Sequence, residues 1–202
     1  MFNRLFKTDK HQQFWKWFIK NQDIFYQFET NKEQLADLLD KKLKEINKDL
    51  AFEITLINSD GKRELSISTD GEKEAYNVVI ELIKKAPELD NWKFKAFRQR
   101  VRGRDIQIKF GDINISCSDI FFRYAKDGKK VGIELNIRNF VDSNPFKNAT
   151  LILLDNTIGE YERLNYISWI EFINLDEEKK EDMYPMNELY DIIDSLSLVN
   201  RQ

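Results

Sequence analysis

The sequence predicts an α+β fold: two pseudo-repeated ββαβ units of ferredoxin-like type forming antiparallel sheet, with two helices ahead of them and one behind. Three observations predict it. Apolar residues recur with a 3.6-residue period over the first 50 positions, and from residue 51 the period drops to two. An Asp-Gly-Lys turn between alternating runs then occurs twice, at 60–62 and 127–129, each time followed by a helical stretch and an aromatic-rich strand.

Taken in order, Phe14, Trp17, Phe18, Ile24, Phe25 and Phe28 form one apolar stripe, expected to lie on a sheet. Thr30 and Glu33 have the spacing of a capping box, in which each side chain satisfies a backbone N–H at a helix start. Leu35, Leu38, Leu39, Leu43, Ile46 and Leu50 continue at helical spacing. Phe52, Ile54 and Leu56 alternate with polar residues, as do Leu65 and Ile67 after Asp60-Gly61. Thr69 and Glu72 cap a helix over about 72–86, closed by Pro87, and Trp92–Ala96 returns as a strand.

The order then repeats. Residues 120–124 and 131–137 flank the second Asp-Gly turn. Asn144-Pro145 opens a helix that Gly159 ends, and 166–172 is the returning strand. A last helix spans about 186–198. The segments are therefore 1–50 (helices), 51–98 (first unit), 99–118 (connecting strands), 119–174 (second unit) and 175–202 (acidic loop and helix), expected to form one compact body.

The 202 residues include 26 Phe, Trp and Tyr, too many for a disordered chain. One histidine, His11, and one cysteine, Cys117, cannot supply the four ligands of a structural zinc site or an internal disulfide. His11 is a poor catalytic base so near the N-terminus, and Cys117 reads as a small buried residue. No glycine pattern cradles phosphate, so no cofactor is expected. Apolar runs are far too short to span a bilayer and the N-terminus has no signal-peptide core, which predicts a cytoplasmic protein.

Charge is concentrated in one place. Between residues 92 and 109 the net charge is +6, whereas the remainder of the chain carries −9. Lys93, Lys95, Arg98, Arg100, Arg102 and Arg104 are the candidate partner-binding residues, because a row of cations can grip an acidic protein surface or, more weakly, a nucleic acid. Arg98 through Arg104 share the parity of the inward residues Phe94 and Ala96, so a bulge or a strand end near Phe97 is required. The acidic run 176–182 reads as an exposed loop. Asp119, Glu134 and Asn136 only loosely suggest nuclease-type metal chemistry, since Asn136 stands where a lysine would orient the water.

The string Ile67–Gly71, Ala86-Pro87, Trp92, Ala96–Arg98, Leu153–Asn156 and Ile158–Glu160 resembles an uncharacterised bacterial protein family of unknown function, over most of residues 50–172. The resemblance implies no activity. Glu160, placed just past a helix end where the dipole disfavours it, is expected to bond a backbone amide, with contact to a partner as the alternative. The sequence therefore predicts a non-catalytic macromolecule-binding protein, acting on a protein partner as a regulator or immunity-type inhibitor. The alternatives are an enzyme using carboxylates in a groove between the repeats, and a weak nucleic-acid binder through 93–109.

Overall fold

The computed structural model describes residues 9–101 and 105–199. The chain is mixed helix and sheet and divides into two compact units, 1–97 and 98–202.

In the first unit, α1 (Lys10–Tyr26) starts on Asp9, whose carboxylate accepts from the His11 and Gln12 amides. Its buried stripe is Phe14, Trp15, Phe18 and Phe25; Ile24, expected inside, is 48% exposed. Trp15 is the residue the stripe omitted, and its indole N–H donates to the Leu82 carbonyl at 2.7 Å. α2 (Lys32–Lys44) buries Leu35, Leu39 and Leu43. The expected capping box does not form. A 3₁₀ turn over Phe28–Asn31 intervenes, and within it the Thr30 hydroxyl donates back to the Gln27 carbonyl.

Strands β1 (Ala51–Ile54), β2 (Arg63–Ser68) and β3 (Trp92–Ala96) make a three-stranded sheet in that order. β1 runs antiparallel to β2, but β3 runs parallel to β2. The expectation of antiparallel sheet is corrected here: α3 (Tyr76–Lys84) carries the chain back to the starting end of β2, so the next strand must run the same way. Leu65, Ile67, Trp92 and Phe94 face the helices, and Phe18 packs edge-on against both aromatic rings of β3.

The second unit is also mixed helix and sheet. β4 (Gln107–Phe110) and β5 (Ile113–Ser116) form a hairpin. β6 (Ile120–Asp127) and β7 (Lys130–Ile137) pair antiparallel through the Asp127-Gly128 turn. α4 (Asn144–Ile158) has Ser143 as its cap and Pro145 in its first turn. Gly159, at φ +96°, ends it as expected, but α5 (Glu160–Tyr166) starts at once. β8 (Ile167–Asn174) then joins β7 in parallel, and β9 (Tyr184–Pro185) adds to the far side of β6. α6 (Leu189–Val199) closes the unit. The sheet order is β8-β7-β6-β9, with Phe122, Ile133 and Leu135 buried beneath Leu153, Leu154 and Ile193.

On the outer side of that sheet, Trp169 of β8 stands opposite Gly132 of β7. The indole lies over the glycine so closely that a Cβ there would overlap ring atoms Cε2, Nε1 and Cζ2. Gly132 is thus a packing glycine, leaving room for the tryptophan above it. No helix among the described residues is long and apolar enough to cross a membrane.

Candidate interaction surface

The predicted basic row does not remain one row. Lys93 and Lys95 lie on β3, opposite Glu64 and Ser66 of β2, on the sheet face away from the helices, and both are exposed. The Lys93 ammonium meets the Asp60 carboxylate at 2.6 Å, which holds that carboxyl below its usual range. β3 ends at Ala96, and Phe97 takes φ +67°. A left-handed aromatic residue is strained. Two contacts hold it: its ring stacks on Tyr76 at 4.7 Å, and its amide donates to the Ile67 carbonyl at 2.8 Å. The strand end required at Phe97 is therefore present, and it turns the chain out of the sheet before Arg98.

Arg98 belongs to the second unit and is 6% exposed. Its backbone N–H donates to Glu160 Oε2 at 3.0 Å, while its carbonyl accepts the Glu160 amide at 3.1 Å. Glu160, fully buried, thus bonds a backbone amide as its sequence context predicts. The dipole argument changes sign, however, because Glu160 opens α5 instead of trailing α4. Beside it, Asp155 is gripped by the Arg163 guanidinium through two hydrogen bonds, and Arg98 Nη1 stands 3.8 Å away. Burial pushes the Asp155 carboxyl up to about 6, against the pull of both guanidiniums. Two buried cations and two buried carboxylates balance in charge, an arrangement that fixes the start of this unit to the α4–α5 corner.

Arg100 is engaged too: its guanidinium pairs with Asp194 of α6 at 2.9 and 3.0 Å and lies 5.9 Å from the Tyr190 ring. Arg102 and Arg104 lie outside the described residues. Lysines 93 and 95 are thus the outward-facing members of the row among those described.

Beside β3 the first unit opens into a groove of about 570 Å³. Its carbon-rich part comes from Ile83 at the end of α3, Ala86 and Leu89 of the following loop, and Trp92 and Phe94 of β3, but polar groups make up more of its exposed lining. Lys62, Glu88 and Asp90 line it as well. The sequence carries no sign of this groove, because it is made by the turn after α3 lying beside the strand it leads into. Ile83, Trp92 and Phe94, which line it, read individually as core.

A second feature escaped sequence reasoning. Arg63 is 1% exposed at the start of β2; its Nη2 meets Glu29 at 2.6 Å, and the Tyr26 ring lies 5.8 Å away. Its Nε and Nη1 have no partner among the described residues. Alternation put Arg63 on the same face as Leu65 and Ile67, which was the available signal.

The remaining candidates are held in local structure. Asp119 accepts from the Ser116 amide and hydroxyl and pairs with Arg138 at 3.2 Å. Glu134 pairs with Arg123 and accepts from Asn136. Cys117 is buried beside the Thr157 hydroxyl, and burial pushes its thiol up. Comparison of the chain with protein-family models, with curated proteins and with solved structures returns no match.

Proposed function

We propose that the chain is a non-catalytic protein-binding module, a regulator or inhibitor whose partner carries an acidic surface, and that β3 is the contact. The observation that carries this is that β3, a terminal strand of its sheet, presents exposed Lys93 and Lys95 on its outward face while a groove lined by Trp92, Phe94 and Leu89 opens beside its other face. In an interface, buried anchors supply affinity, and peripheral charges supply rate and salt dependence. An acidic partner meeting the lysines while inserting an apolar side chain beside Leu89 uses both.

The same reading takes residues 51–98 and 119–174 as copies of one ββαβ module. Supporting it, each has an antiparallel pair followed by a helical crossover and a strand parallel to the second of the pair.

The test is a low-salt pull-down in which wild type, Lys93→Glu/Lys95→Glu and Leu89→Arg are compared. The reading expects a protein retained by wild type, released as salt rises, and lost from both variants while their circular dichroism is unchanged. Retention indifferent to both variants overturns it.

A further inference from the structure

A different face of the molecule carries an inference independent of β3. In the order β8-β7-β6-β9, β8 is a terminal strand with one hydrogen-bonded neighbour among the described residues. It is eight residues long, holds no proline, lysine or arginine, and bears a single charge, Glu171. Edge strands of soluble proteins are normally blunted by such residues, because their unpaired N–H and C=O groups are a template for another strand. The one blunting device present is a register shift at the start, where Val131 pairs with Ile167 but Gly132 pairs with Trp169. From Ile170 to Asn174 the strand is regular, with Ile170, Phe172 and Ile173 only half-buried.

We propose that this edge pairs antiparallel with β8 of a second copy of the chain, about a two-fold axis at Phe172. Self-pairing in one continuous sheet requires residues of equal parity to stand opposite each other. An axis at Glu171 would oppose two carboxylates, which is destabilising. An axis at Phe172 uses the regular stretch, sets Phe172 against its own copy, and places Glu171 opposite Ile173. Five paired residues a side bury less than the roughly 1,200 Å² of a stable interface, so the dimer is weak and concentration-dependent.

The register makes a charge test. Ile173→Glu places a carboxylate opposite Glu171 of the other copy, whereas Ile173→Lys places an ammonium there. Both alter the same half-buried position, and a circular dichroism spectrum and urea midpoint for each establish that folding is comparable. Sedimentation velocity is run from roughly ten micromolar to one millimolar, the range of weak association.

Wild type is expected to move from monomer to dimer across this range. The dissociation constant of Ile173→Glu should exceed that of Ile173→Lys by about tenfold, since two opposed pairs form per dimer. Combining Ile173→Glu with Glu171→Lys should restore association. A single monomer mass throughout, or equal association of the Glu and Lys variants, overturns the proposal. So does growth beyond a dimer, which a closed two-fold contact forbids.

Discussion

Replacing Gly132 by alanine probes whether the outer side of the four-stranded sheet is built as described. In a strand interior, alanine for glycine is ordinarily favourable by about 0.5–1 kcal/mol, because the chain loses less entropy on folding. Here the added methyl enters the space of the Trp169 indole. Trp169 is 45% exposed, so rather more than half of the residue is covered. Expelling it forfeits burial of about 100 Å² of apolar surface, about 2.5 kcal/mol at 25 cal/mol per Å². If the sheet yields instead, overpacking costs about 1–3 kcal/mol. After the backbone gain is set against it, the variant loses about 1.5–2 kcal/mol by the first route and about 0–2.5 kcal/mol by the second.

Urea unfolding gives the loss, and fluorine NMR of 5-fluorotryptophan protein locates it. Trp15, Trp17 and Trp92 are in the first unit, so the Trp169 resonance alone should shift. In the background of Trp169→Ala, where the obstructing ring is gone, Gly132→Ala should be neutral or stabilising. A Gly132→Ala protein with unchanged stability and an unchanged Trp169 resonance would refute the packing argument.

Three other outcomes concern the buried charges. Glu160→Ala strands the Arg98 amide and unbalances two buried guanidiniums, for a loss of about 2–4 kcal/mol in urea and faster hydrogen exchange at Arg98. Glu29→Gln leaves the buried Arg63 without an ionised partner and should cost about 1–3 kcal/mol, discounted because Glu29 is half exposed. Arg63→Met, which removes the charge and keeps the bulk, should cost less; urea midpoints rank the two. The third is a pH effect. The Asp155 carboxyl lies at about 6 in the fold against an ordinary 3.8, so the folded state holds this proton more tightly. Its contribution therefore makes stability rise as pH falls from 7.5 to 5, by roughly 1 kcal/mol. Asp155→Asn should abolish that part, and the difference between the two profiles isolates it from His11, whose imidazole burial pushes down.

Much of the fold was legible because period and punctuation act locally. Gly159 and Asn144-Pro145 bound α4 where their backbone preferences place them, and both Asp-Gly turns join antiparallel strands. Conflict was legible too: the parity clash between Phe94 and Arg98 required a break near Phe97, and a left-handed residue supplies it. What the sequence concealed depends on distant partners. Arg98 and Arg100 read as part of an exposed row, but Asp155, Glu160 and Asp194, tens of residues away, draw them in. Thr30 had the right spacing for a cap, yet a competing 3₁₀ turn took its hydroxyl. The parallel direction of β3 and β8 is set by where a crossover helix ends, which no residue within either strand encodes.

The claim that β3 and its groove are the contact is tested most directly by a photo-crosslinking residue at position 89, with the same residue at Tyr190 of α6 as control. The account predicts that position 89 traps one acidic protein at low salt, that position 190 does not, and that Lys93→Glu/Lys95→Glu abolishes the adduct without unfolding the chain. An identical adduct set from both positions, or an adduct that survives the charge reversal, would contradict it.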